Sequence, residues 1–157
     1  MHDESKSDLL IRATAAYRRV IADPETFGPE AARIVAEARA AGHPEALVAA
    51  LRAQGWLERI RLAHDRALVL LDEAVHVARR HRLGVQLGQV LVMRGAVHHE
   101  LGRLTAAKRD FDRAAGLVDR ATAAELAFQQ GVLYQNLGRL SEAAELYRRT
   151  LADPDTP

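Results

Sequence analysis

Two stretches of this chain superimpose on each other without a gap, and that constrains the fold more than any single motif. RGAVHHELGRLTAAKRDFDRA from Arg94 and QGVLYQNLGRLSEAAELYRRT from Gln130 run in register at a spacing of 36 residues. Gly95 pairs with Gly131, His98 with Tyr134, Gly102 with Gly138, Ala107 with Ala143, and Phe111 with Tyr147. An earlier copy, QGWLERIRLAHDRALVLLDEA from Gln54, keeps Gly55, Ala67, Leu71 and Ala74 in register 40 residues ahead, with Leu62 where the later copies have a second glycine. Repeats of this length are single supersecondary units that cannot bury their apolar faces alone, so they stack.

The unit is helical. Apolar residues recur three and four apart, as in Leu68, Leu71, Val75 and Ala78, or Phe111, Ala114, Ala115 and Val118, and no alternating strand pattern competes. Breakers fall at Pro24, Gly28-Pro29, Gly42-His43-Pro44, Gly84, Gly102, Gly138 and Pro154. Together they predict about eight helices, near 5–22, 29–41, 44–60, 62–82, 85–101, 104–118, 120–137 and 140–152. Pro29 and Pro44 stand just inside two of the starts. The short connections predict antiparallel neighbours.

These residues resemble the tetratricopeptide repeat. Its pattern places a small residue and an aromatic in a first helix, a turn glycine, then alanine, an aromatic and alanine in a second. Gly131, Tyr134, Leu137-Gly138, Ala143, Tyr147 and Leu151 carry the likeness in the last copy. Leu91, Gly95, Gly102, Ala107, Phe111 and Ala114 carry it in the one before. The resemblance implies an all-α, right-handed superhelix of antiparallel pairs in a single domain over 1–157, with repeats at 47–82, 88–119 and 124–155 and a divergent pair at 1–41. The first helix of that pair offers Leu9, Leu10, Ala13, Ala16, Tyr17 and Val20 on one face to cap the stack. The GRL turn before an alanine-rich acidic helix is also similar to repeats that precede caspase-like CHAT peptidase domains in actinobacterial proteins.

For function, the resemblance implies a non-catalytic module that holds a protein or peptide, as a scaffold or regulatory part of a larger assembly. The alternative is a peptide-sensing receptor controlling a transcription factor or a CHAT-type peptidase. In this family the first helix of each pair lines a groove. That maps Arg52, Trp56 and Arg59 from one repeat, Gln89, Met93 and His99 from the next, and Phe128, Gln129, Gln135 and Asn136 from the last onto the expected binding surface. Arginine, aromatic, thioether and amide side chains suit a peptide. A chaperone-tail clamp is disfavoured, because Trp56, Met93 and Glu125 stand where it wants asparagine, asparagine and lysine.

Other classes of function find little footing. A net charge of +1 offers no field for nucleic acid or anionic lipid. There is no cysteine, no basic leader before an apolar run, and no apolar stretch long enough to cross a bilayer, which points to the cytoplasm. GxSxG, P-loop and GxGxxG motifs are missing. His98-His99-Glu100 and the pair His76 and His81 do not follow metal-site spacing, and neighbours on a helix point about 100° apart. No cofactor, metal or catalytic residue is expected. Asp72-Glu73 and Asp110 with Asp112 are expected on solvated outer faces. The last hairpin is expected to leave Leu146 and Leu151 needing cover from a partner, a dimer mate or an adjoining domain.

Overall fold

The computed structural model describes residues 2–152, with His2 and Asp3 through their backbone alone. Pro154 and the expected close of the last repeat at 155 lie outside the described residues. Eight helices follow one another: α1 His2–Ala22, α2 Pro24–Ala41, α3 Pro44–Ile60, α4 His64–Arg80, α5 Gly84–Glu100, α6 Leu104–Ala114, α7 Arg120–Asn136 and α8 Leu140–Ala152. Consecutive helices pack together, and α1, α3, α5 and α7 also pack side by side as an inner layer. The even-numbered helices form the outer layer, which gives the two-layer helical repeat that the periodicity implied.

The connections show why the chain turns where it does. Five of them close with the same pair of backbone bonds, one reaching back five residues: His43 N–H to Ala38 O, Ala63 to Glu58, Leu83 to Ala78, Arg103 to His98 and Arg139 to Tyr134, at 2.8–3.0 Å. This arrangement needs a left-handed residue just past the helix end. Gly42, Gly102 and Gly138 supply it, but Leu62 at φ 60° and Arg82 at φ 56° also adopt it, against the preference of a side chain with a Cβ.

Packing of the pairs rests on small residues at the helix crossings. A Cβ added to Gly95 would lie 2.5 Å from the Phe111 ring, one on Gly131 2.6 Å from Tyr147, and one on Gly55 2.8 Å from Leu71. The same glycine-to-bulk pairing, sixteen residues apart, recurs in all three copies. Around it the core is continuous from Leu9, Ala13, Ala16 and Val20 of α1 through Leu51, Leu71, Leu91 and Phe111 to Leu133. The expected face of α1 is therefore buried, with Leu10 and Tyr17 half-buried at its edge.

Four expectations need correction. Helix α2 begins at Pro24 and not Pro29, because Asp23 caps it by accepting from the Thr26 N–H at 3.1 Å. Gly28-Pro29 then lies inside the helix, where Gly28 is a buried crossing residue whose added Cβ would meet Leu57 at 2.8 Å. Helix α6 stops at Ala114 and not 118, leaving Leu117 and Val118 in a turn that packs over Gly88. Asp110 is not on a solvated face: it is completely buried, because Arg94 reaches it from α5 through two bonds of 2.7 and 2.8 Å. A third bond of 2.9 Å takes Arg94 on to Asp72 of α4. The fourth correction, Met93, belongs to the groove.

Candidate functional site: the inner groove

The inner layer is concave enough to bring α1 opposite α7. Between them lies a cavity of about 950 Å3, walled by Leu10, Thr14, Tyr17 and Arg18 of α1, Ala49 and Arg52 of α3, Gln86 and Gln89 of α5, and Asp119, Thr122 and Glu125 at the start of α7. This size suits a ligand segment of a few residues.

Arg52 is its organising group. The guanidinium carbon lies 3.8 Å from the centroid of the Tyr17 ring, a cation–π stack, and an Arg52 Nη is 3.8 Å from a Glu125 carboxylate oxygen. Its side chain is only 14% exposed, yet Nε is buried with no hydrogen-bond partner. Gln86 is in the complementary condition. Its amide nitrogen donates to the Glu45 carbonyl at 3.2 Å while its buried Oε1 has no partner. Burial pushes the Tyr17 phenol above its usual range, with the nearby Glu125 charge adding to the effect. Across the cavity the Asp119 carboxylate is held below its usual range by the Thr122 N–H, which it accepts at 2.9 Å as the cap of α7.

The ten residues expected on the groove divide into four groups. Arg52 and Gln89 line the cavity. Trp56, Arg59, His99, Gln129 and Asn136 lie outside the cavity wall, several of them already engaged. Trp56 packs half-buried against the core, Arg59 donates to Glu100 at 2.6 and 2.8 Å, and His99 is 2.7 Å from Asn136. Phe128 and Gln135 turn toward α8, with Phe128 6.1 Å from the Tyr147 ring and Gln135 accepting from the Tyr147 hydroxyl at 3.2 Å. Met93 is the remaining correction. It has no exposed surface and lies under Arg59, 3.9 Å from its guanidinium, on a helix whose neighbours Val90 and Val97 are buried as completely.

Tyr17, Gln86 and Thr122 were not foreseen as cavity residues. The groove positions came from the repeat register, and α1 stands outside it. Gln86, one turn before Gln89 on the same face, was the signal available.

Among the described residues no three histidine, aspartate or glutamate side chains converge as a metal site, and no helix is long and apolar enough to cross a membrane. His64 instead meets Glu100 at 3.1 Å, and His43 caps α3 through Nδ1. No curated protein and no solved structure matches the chain. A family model does: residues 124–151 match the tetratricopeptide repeat. With that match at α7–α8 and eight helices paired in sequence around it, the chain fits a tetratricopeptide-repeat protein.

Proposed function

We propose that this chain is a protein-interaction module whose inner cavity seats an extended peptide segment. The observation that carries this reading is that two residues lining the cavity, Arg52 and Gln86, each hold a buried polar atom that no protein group pairs: a donor, Arg52 Nε, and an acceptor, Gln86 Oε1, just beneath its surface. Buried polar groups left unpaired are destabilising by about 1–3 kcal/mol each, so such groups are normally matched by a ligand or water. An extended main chain offers both a carbonyl and an N–H, and Tyr17 with Leu10 offers an apolar wall for one side chain.

Tetratricopeptide repeats in general support a protein partner, and the absence of a large net charge is in keeping with one of mixed character. The test is selection of a displayed random peptide library on the immobilised chain, with affinities of the recovered peptides measured calorimetrically. Arg52→Met and Gln86→Leu should each weaken binding by about 10-fold or more, the effect of losing one buried hydrogen bond. Recovered peptides that bind both variants as tightly as the parent would place the binding surface elsewhere.

A further inference from the structure

Three arginines on the inner helices are withdrawn from water to a similar degree, and they are not equally served. Arg94, its side chain 13% exposed, holds Asp110 and Asp72 by three bonds of 2.7, 2.8 and 2.9 Å. Arg59, 20% exposed, holds Glu100 by two, at 2.6 and 2.8 Å. Arg52, 14% exposed, faces Glu125 of α7, but at 3.8 Å that carboxylate is outside hydrogen-bond reach. A guanidinium this far from water is ordinarily bonded directly to a carboxylate, as the other two are.

The other charges around the cavity lead the same way. Of its basic lining, Arg19 is engaged with Glu30 at 3.2 Å, while Arg18, exposed on the same helix, has no acidic partner among the described residues. Of its acidic lining, Asp119 is committed to the cap of α7, where it accepts from the Thr122 N–H. The uncommitted charge is therefore positive and belongs to α1 and α3. Tyr17 holds the Arg52 guanidinium there by stacking, so its planar fork is oriented before anything binds. Such a fork takes a carboxylate through two parallel bonds, which Glu125 approaches without making.

We propose that the segment seated in the cavity carries an aspartate or glutamate side chain, which pairs with Arg52 and displaces Glu125 from it, with Arg18 adding to the attraction. This rests on the reading of the cavity as a peptide site and adds the chemistry of the residue that the site recognises. The acid is assigned to a side chain and not to a chain terminus, because Met93, one of the positions that would have to grip a terminal carboxylate, is wholly buried under Arg59.

The probe is a pair of N-acetylated, C-amidated peptide pools, randomised without aspartate, glutamate or cysteine around one fixed central residue, aspartate in one pool and asparagine in the other. A third pool keeps the asparagine and has a free C-terminal carboxylate. Retention on the immobilised chain should favour the aspartate pool over the asparagine pool by about 10-fold, the effect of one hydrogen bond to a charged group, and the free terminus should bring no such gain. Glu125→Gln, with helical circular dichroism matching the parent, should raise retention of the aspartate pool by about 3-fold, since the competitor for Arg52 is gone. Equal retention of the aspartate and asparagine pools leaves peptide binding standing and overturns the acidic residue. No retention of any pool overturns the peptide reading and this inference with it. A free-terminus pool retained as well as the aspartate pool overturns the side-chain assignment, and a Glu125→Gln variant that binds the aspartate pool no better than the parent overturns the displacement.

Discussion

At the scale of single residues, the repeat exposes its own imperfections. Leu62 occupies the left-handed turn position that Gly102 and Gly138 fill in the later copies, and it is 76% exposed, so its side chain gains little from burial. A non-glycine residue there is disfavoured by about 1–2 kcal/mol. Leu62→Gly should therefore raise the stability of the chain by about 1 kcal/mol after the entropy of the unfolded glycine is offset. Urea denaturation checks this, and a lowered midpoint would contradict it. His98 shows a second imperfection. It takes the place of Tyr134 in the register, and burial lowers its pKa, with its Nδ1 unpaired. Because the folded pKa lies below the unfolded value near 6.5, the contribution of neutral His98 is complete above that pH. It is lost as pH falls from there through the folded value. The melting temperature of the parent should drop more steeply between about pH 7 and pH 5 than that of His98→Tyr, which has no group titrating in the window.

At the scale of elements, the middle hairpin is tied to its neighbours by charge as well as by apolar packing. Arg94 on α5 joins Asp110 of α6 and Asp72 of α4, and its guanidinium is held charged chiefly by the Asp110 carboxylate. The flanking copies fill the same two positions with Gln54 and Leu70, and with Gln130 and Leu146. Asp110→Leu leaves the largely buried guanidinium with the exposed Asp72 carboxylate as its one remaining ion-pair partner and should destabilise by about 3 kcal/mol. Adding Arg94→Gln copies the last repeat and should recover most of that loss. Chemical denaturation of the two variants distinguishes a paired charge from a simple packing defect, for which the second change brings no recovery. The elements were largely legible in the sequence. Period, turn glycines and crossing glycines fixed seven of the eight helices to within a few residues at each end. Helix α2 reads short from the sequence because Gly28-Pro29 looks like a break with Pro29 opening the helix, whereas Asp23 starts it five residues earlier and Gly28 is buried inside it. The Arg94–Asp110 pair was missed for a different reason. An aspartate at a position that is leucine in both other copies signals a buried partner, but helical periodicity assigns it to the outside.

At the scale of the whole molecule, burial is uneven from one end to the other. Helices α3 and α5 each bury eight residues, while α8 buries Ala143 alone. A stack of repeats opens from its least covered end. Native-state hydrogen exchange should release α8 and then α7 well before α3–α5, and uniform protection across all eight helices would be the contrary result. The candidate site was only partly readable at this scale. Arg52 and Gln89 follow from the register of a single repeat, but the cavity they line also needs α1 and the start of α7 as its two far walls. No local pattern encodes that arrangement.

The stack of Tyr17 on Arg52 has a further consequence. One wall of the cavity is built by a helix of the divergent first pair, outside the register of the three recognisable copies. The repeating segments supply curvature and must keep their crossing glycines and wedges, so their sequences are tightly bound to one another. Leu10, Thr14 and Tyr17 carry no such obligation on the side they turn to the cavity. Substitutions there can redirect selectivity while the scaffold stays as it is. Shape and address are thereby assigned to different stretches of the same chain, and an engineer, or natural drift, could rewrite the second without disturbing the first.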